Sequence, residues 1–189
     1  MRLFVALDPP PDALAELDAA VAPLRAGWPE LRWTGQDRWH VTLAFLGEVA
    51  EGKLDELSVR LGRAAGRHQA LRLWIGHGGA FPNQKRARVL ISRVEGDQAA
   101  LAALTALTGS VAAGARRAGA PPPDEGRRYR PHLTLARCRQ PTDVSEAVDA
   151  LGGFTGSVWL AAEMRLIMSH AGPKPWYEAL ATWPLAAGG

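Results

Sequence analysis

The chain has 189 residues, of which 47% are hydrophobic and 22% are charged, and its formal net charge is +3. This length suits one domain or two small lobes that share a core, and the mild basicity permits an anionic partner without requiring one. Cys138 is the only cysteine, which excludes an internal disulfide and fits a reducing compartment. The first residues lack the pattern of a signal peptide, and no apolar run approaches the roughly 20 residues of a membrane span. We therefore expect a cytoplasmic monomer with no membrane partner.

Hydrophobic periodicity gives both halves of the chain the same order of elements. In the first half we predict a strand at 3–7, a helix from Asp12 to Leu24, a short strand near Trp33, a strand at 39–46, a helix over 54–61, and a strand at 71–75 that ends in the glycine loop 76–79. In the second half we predict a strand at 88–94, a helix at 98–117, a loop at 119–129, a strand around His132, a short helix over 144–151, and strands at 158–168 and 177–183.

This repetition predicts an α+β fold of two pseudo-symmetric lobes. Each lobe would contain an antiparallel-type sheet with flanking helices, and the lobes would surround a central cleft. Parallel βαβ winding fits less well, because the strands that carry histidine alternate polar and apolar residues instead of forming continuous apolar runs. We expect residues 1–189 to form a single two-lobed domain, with the lobes at about 1–79 and 80–189.

One seven-residue pattern occurs twice, as RWHVTLA at 38–44 and as RPHLTLA at 130–136. The two-residue period of a strand places His40 and Thr42 on one face, about 6.6 Å apart, and turns the apolar residues toward a core. His132 and Thr134 repeat the arrangement 92 residues later. Each copy therefore offers an imidazole that can move a proton and a hydroxyl that can donate a hydrogen bond.

If the two copies meet, they form a site for acid–base chemistry on one small oxyanion. Imidazole can act as acid or base near neutral pH, and two hydroxyls can stabilise charge on non-bridging oxygens. A metal centre fits poorly, because the sequence places no carboxylate cluster near the histidines. Arg130 and Arg137 flank the second copy and are candidate phosphate ligands, although solvated arginines would give the same pattern. Trp39, beside His40, is a candidate for stacking on a base.

These motifs resemble the two-histidine phosphoesterase superfamily, and most closely its bacterial and archaeal branch of RNA 2′,3′-cyclic phosphodiesterases, also known as 2′-5′ RNA ligases. Matches to the family run along the whole chain, and the paired motifs HVTLAFLG at 40–47 and RPHLTLAR at 130–137 are the specific ones. The supporting matches, which would be weak alone, are FVAL at 4–7, FP at 81–82, RVL at 88–90, Ser169, and PWY at 175–177. Trp39 departs from the family pattern, in which a smaller residue is frequent.

The resemblance implies a metal-independent enzyme that opens 2′,3′-cyclic phosphate ends to 2′-phosphates without a cofactor. His40 would be the acid and His132 the base, while Thr42 and Thr134 would bind the phosphate oxygens. The partner would be an RNA or nucleotide with a 2′,3′-cyclic phosphate end. Run in reverse, the same chemistry would join such an end to a 5′-hydroxyl without ATP.

Two alternatives remain open from the sequence. One is a phosphodiesterase of small cyclic or 2′,5′-linked nucleotides, which a tight neutral cleft would favour over a basic groove. The other is a catalytically silent RNA-binding module, for which two identical His/Thr pairs have no physical need.

Overall fold

The computed structural model describes residues 1–123, 128–172 and 175–186, and part of the predicted loop at 119–129 lies outside this range. The strands are β1 Arg2–Leu7, β2 Arg32–Trp33, β3 Val41–Glu48, β4 Leu71–Phe81, β5 Ala87–Glu95, β6 His132–Thr142, β7 Trp159–Ala161, β8 Glu163–His170 and β9 Trp176–Pro184. The helices are α1 Pro11–Gly27, α2 Leu54–Ala65, α3 Gln98–Arg117 and α4 Ser145–Ala150.

The longest of these helices, α3, shows how the local sequence determines where a helix begins and which face is buried. Its N-cap is Asp97, whose carboxylate accepts a hydrogen bond from the Ala100 backbone N–H at 2.7 Å. By length and composition alone α3 could cross a membrane, contrary to the expectation that no apolar run is long enough. In the fold, Leu104, Leu107 and Val111 form a fully buried stripe at helical spacing. That stripe is typical of a core helix in a globular domain.

The strands form two antiparallel sheets, in the order β3-β1-β8-β9 and β2-β6-β5-β4-β7. Each histidine strand pairs with the opening strand of its own half, β3 with β1 and β6 with β5. The last strand of the opening half, β4, instead pairs with β5, and β8 pairs with β1. The α+β prediction is confirmed. The sheets do not coincide with the predicted lobes at 1–79 and 80–189, because β2 and β4 of the first half join the second sheet and β8 and β9 of the second half join the first.

Two predicted elements are wrong in detail. The glycines at 76–79 lie inside β4 and not in a loop, with a register shift between Ile75 and Gly78. They admit close neighbours, since a Cβ on Gly78 would lie 2.9 Å from the Leu151 side chain. The predicted strand at 158–168 divides at Ala162, because β7 pairs with β4 in one sheet and β8 pairs with β1 in the other.

One large hydrophobic core joins both sheets and all four helices. Leu3, Val5 and Leu7 of β1 belong to this core, whereas Phe4 and Ala6 form a small second cluster with Ile167 on the opposite face. This alternation along β1 gives the first sheet one face in the core and one face that meets the histidine of the first motif.

Candidate active site

The two histidine strands have the predicted alternation. In the first motif, Val41 and Leu43 are buried while His40 and Thr42 remain partly accessible. In the second, Leu133 and Leu135 are fully buried and the side chains of the second His/Thr pair are partly accessible. The apolar residues anchor each strand in the core, so the polar pairs share the other face.

Both polar pairs line one cleft between the two sheets, with a volume of about 270 Å³. His40 and Thr42 enter from β3 and the residue before it, and His132 and Thr134 enter from β6. Cross-strand pairing places Arg93 of β5 opposite His132. The structure therefore brings together all four residues that the repeat singled out.

A backbone carbonyl holds the ring of each histidine. The Nδ1–H of His132 donates to the Arg130 carbonyl at 2.7 Å, and His40 has the corresponding hydrogen bond with the backbone of Arg38. Because a carbonyl only accepts, Nδ1 of His132 carries the proton and its Nε2 is the nitrogen available for proton transfer. In both motifs the histidine thus has a hydrogen bond with the backbone of the arginine two residues before it.

Aromatic side chains surround His40. Phe4 stacks on its ring at a centroid distance of 4.6 Å, and Tyr177 meets it edge-on at 5.3 Å. The pKa of His40 is lowered from 6.5 to about 4, and burial is the main cause. The backbone bond with Arg38 opposes this shift, and repulsion from His132 contributes to it. The dependence on His132 also indicates that the two imidazoles lie close enough to interact.

His132 lies in a related environment on the other side of the cleft. Phe81 meets its ring edge-on at 5.0 Å, and burial is the main cause of its lowered pKa. The charges of Arg137 and Arg93 lower this pKa further, and the Arg130 carbonyl opposes them. Both histidines are therefore mainly neutral at pH 7 in the free protein. An anion bound between them would raise both pKa values, since opposite charge favours the imidazolium.

Tyr129 connects the two motifs through the backbone. Its hydroxyl donates to the Thr42 carbonyl at 3.1 Å, and burial raises the pKa of this tyrosine. Tyr129 immediately precedes the second motif, so this hydrogen bond links the residues just before β6 with strand β3.

The structure separates the three residues predicted to bind substrate. Arg137 lines the cleft. Arg130 is exposed, with its guanidinium 5.9 Å from the Phe81 ring centroid. Its backbone carbonyl accepts the hydrogen bond from His132. Trp39 does not line this cleft, because the residue is 3% exposed and belongs to the core. It neighbours His40 in sequence, so strand-like alternation turns it inward.

Several cleft residues were not predicted from sequence: Thr34, Arg38, Phe45, Phe81, Val89 and Tyr177. Arg38 had a signal, because it corresponds to Arg130 in the repeated motif. Phe81 and Tyr177 lie in the family matches at 81–82 and 175–177, but no local pattern indicated that they reach the histidines from β4 and β9.

The sequence profile described as LigT like phosphoesterase matches residues 7–91, which include the first motif. The RNA 2′,3′-cyclic phosphodiesterase of Archaeoglobus fulgidus is 30% identical over 184 residues, covering 95% of this chain and 98% of that protein. The chain belongs to the LigT-like phosphoesterases. This is the two-histidine family whose motifs it resembles, so that prediction is confirmed.

Solved structures support the same assignment for this LigT-like phosphoesterase. The crystal structure of TT0787 from Thermus thermophilus superposes with a TM-score of 0.78 at 26% identity, covering 99% of both chains. The crystal structure of Escherichia coli LigT complexed with 3′-AMP gives a TM-score of 0.70 at 27% identity, covering 97% of this chain and 96% of that one. The fold is therefore shared over essentially its whole length.

Proposed function

We propose that this LigT-like phosphoesterase opens RNA 2′,3′-cyclic phosphates to 2′-phosphates by acid–base catalysis with two histidines. The observation that carries the proposal is the convergence of His40, Thr42, His132 and Thr134 on one cleft of about 270 Å³. The relative from Archaeoglobus fulgidus named for this activity supports it.

The geometry suggests a role for each group. Nε2 of His132 takes a proton from water, whose oxygen forms the new bond to phosphorus. The bond from phosphorus to the ribose O3′ breaks, and Nε2 of His40 gives that oxygen a proton. The hydroxyls of Thr42 and Thr134 donate hydrogen bonds to the non-bridging oxygens and stabilise their charge in the transition state.

Unpaired arginines around the cleft favour an RNA over a small nucleotide. Among the described residues, Arg38, Arg93 and Arg137 form no salt bridge. Arg137 also lies directly opposite Arg32 on the neighbouring strand β2. Like charges in this position destabilise a sheet unless an anion binds them. Several positive charges beyond the phosphate-sized centre suit an extended phosphate backbone.

The same machinery supports ligation in reverse. A 5′-hydroxyl would take the place of water beside His132, and no ATP is needed because the cyclic phosphate is already activated. Within the described residues, no three His, Cys, Asp or Glu side chains are grouped as metal ligands. Independence from metals and cofactors, the cytoplasmic location and the monomeric state all stay predictions.

The test is hydrolysis of an RNA oligonucleotide that ends in a 2′,3′-cyclic phosphate. We expect the wild-type protein to open the ring and the double variant His40→Ala/His132→Ala to be inactive. His77→Ala is the matched control, because His77 is 47% exposed and pairs with Glu95 away from the cleft. A folded wild-type protein that leaves the ring intact would contradict the proposal, as would a double variant as active as the control.

A further inference from the structure

Arg93 lies beside the second histidine but outside the cleft. It is directly opposite His132 in the ladder between β5 and β6, it is exposed, and it is not among the residues that line the cleft. Side chains directly opposite each other share one face of a sheet, with Cβ atoms about 4.5–5.5 Å apart. Besides burial, the main cause, and the charge of Arg137, the charge of Arg93 lowers the pKa of His132. It is not among the causes of the shift at His40, so Arg93 lies on the side of the second histidine.

An acidic residue close to Arg93 on the same strand is held by other partners. Glu95 follows two residues later on β5 and so projects from the same face. Its Oε1 lies 2.6 Å from Nδ1 of His77, and its Oε2 accepts a hydrogen bond from the Nε1–H of Trp74 at 3.0 Å. Within the part of the chain that the structure describes, Arg93 forms no salt bridge. Its positive charge is therefore available to a ligand.

A second arginine lies on the same side of His132. Arg130 is exposed, does not line the cleft, and forms no salt bridge with any described residue. Its guanidinium lies 5.9 Å from the ring centroid of Phe81, which meets the His132 ring edge-on at 5.0 Å. Gly79, two residues before Phe81 on β4, leaves room for Arg93, because a Cβ there would already contact the Arg93 Nε at 3.5 Å. We call Arg93 and Arg130 the outer arginines.

The groups outside the second histidine suit a phosphodiester of RNA. Guanidinium groups bind phosphate oxygens through charge-assisted hydrogen bonds. Trp74 is partly exposed and lies directly opposite Glu95, close to Arg93 on the same sheet. Its hydrogen bond with Glu95 fixes the indole, which offers an aromatic surface for a base. Positive charge with an aromatic surface nearby suits a nucleotide chain better than a free inorganic anion.

We propose that the outer arginines bind the first phosphodiester of a second RNA strand, whose 5′-hydroxyl attacks the cyclic phosphate in ligation. The inference rests on the proposed function, which places the attacking group beside His132. In-line displacement puts the attacking and leaving oxygens on opposite sides of phosphorus. The incoming strand therefore continues past His132, where the outer arginines lie.

Ligation forms one bond to phosphorus and breaks another. The 5′ oxygen of the incoming strand bonds to phosphorus, and its proton passes to Nε2 of His132. The bond from phosphorus to the ribose O3′ breaks, and O3′ takes a proton from His40, which leaves a 2′-5′ phosphodiester. Water makes the same attack in hydrolysis but carries no phosphate for the outer arginines to bind. These arginines should therefore favour ligation over hydrolysis.

The first test compares two acceptors that offer the same 5′-hydroxyl. The donor is an RNA trinucleotide with a 2′,3′-cyclic phosphate end, and the acceptors are adenylyl-(3′→5′)-adenosine, which has a phosphodiester, and adenosine, which has none. Arg93→Gln should lower the ratio of ligated to hydrolysed donor about three- to tenfold with the dinucleotide, and much less with adenosine. Arg63→Gln is the matched control, because Arg63 is also exposed but lies on α2, no residue of which lines the cleft. Equal losses with both acceptors would overturn the inference, as would hydrolysis of the donor with ligation of neither acceptor.

A phosphodiester of the donor strand offers the same chemistry, and hydrolysis separates the two sources. The measurement is KM for the trinucleotide donor and for a 2′,3′-cyclic mononucleotide, in wild type and in Arg93→Gln. We expect the ratio of the two KM values to be the same in both proteins. A KM that rises three- to tenfold for the trinucleotide alone would assign Arg93 to the donor strand and overturn the inference.

The Nε–H signal of Arg93 in a ¹H–¹⁵N NMR spectrum reports binding without turnover, and its absence in Arg93→Gln assigns it. The dinucleotide at saturation should shift this signal, and adenosine should not. If the protein hydrolyses no cyclic phosphate but the dinucleotide shifts the signal, the proposed function is wrong and the phosphodiester site stands. If hydrolysis is normal and the signal does not respond to the dinucleotide, the inference is wrong and the proposed function stands.

Discussion

Aromatic side chains bury the imidazole of His40 and so lower its pKa. Removing one of these side chains should raise that pKa. Burial lowers this pKa from 6.5 to about 4, which disfavours the imidazolium by about 3 kcal/mol. Phe4 is 3% exposed in the interior, whereas Tyr177 lies on the edge strand β9 and is partly accessible. Tyr177→Ala is therefore the change that admits water to His40 with the smaller effect on folding.

We expect Tyr177→Ala to raise the pKa of His40 by one to two units, about 1.4–2.7 kcal/mol. The measurement is an NMR titration of the imidazole Cε1–H in both proteins. His132 is the internal control, because its aromatic neighbour is Phe81 and its pKa should change little. A wild-type His40 that titrates near 6.5, or one whose pKa is the same in the variant, would refute this account of the site.

The same shift sets the sign of a pH effect on stability. The folded pKa of His40 lies below its unfolded value, so the unfolded chain binds this proton more readily. The contribution of neutral His40 to stability is therefore complete above about pH 6.5 and is lost as pH falls to about 4. We expect His40→Gln to reduce the acid-induced fall in the free energy of unfolding by about 3 kcal/mol, measured by urea denaturation across this range. An unchanged pH dependence in the variant would contradict the assignment.

Further predictions concern turnover. His40→Ala or His132→Ala should lower kcat about 10²–10⁴-fold. Thr42→Ala or Thr134→Ala should lower kcat by up to about 10³-fold, and all four variants should have unfolding curves close to wild type. Near-normal rates would mean that the two motifs have only a structural role. An activated nitrophenyl leaving group should partly rescue the variant that lacks the acid, His40→Ala, and rescue of His132→Ala instead would reverse the roles. Hydrolysis should persist in excess EDTA without ATP, and loss that added Mg²⁺ or Zn²⁺ restores would contradict the mechanism. The pH optimum of kcat/KM should lie below pH 6.5. The pH optimum of kcat should be higher, because the bound phosphate stabilises an imidazolium. An optimum of kcat/KM above pH 7 would contradict the lowered pKa values of the two histidines.

The central part of the site could be predicted because its signal is local and occurs twice. A two-residue period determines which face each His and Thr occupies, and the duplication indicates that both pairs serve one purpose. Helix α3 was predicted at its observed bounds, since its leucines follow helical spacing. These features depend on neighbours within a few residues, which is the range over which sequence patterns are informative.

The remaining features depend on contacts that no local pattern records. The glycines at 76–79 indicate a loop by composition, yet they continue β4, where Gly78 and Gly79 pair with Ser92 and Ile91 of β5. No local pattern indicates that β2 and β4 join the second sheet while β8 and β9 join the first. Tyr177 reaches His40 only because β9 completes the first sheet.

Phosphorus NMR of the reaction in ¹⁸O-enriched water tests most directly whether the two histidines act together on one cyclic phosphate. We predict that a 2′,3′-cyclic phosphate oligonucleotide gives a single 2′-phosphate product with one ¹⁸O on phosphorus, and that His40→Ala/His132→Ala gives none. A 3′-phosphate, an unlabelled phosphate, or the same labelled product from the double variant at the wild-type rate would contradict the account.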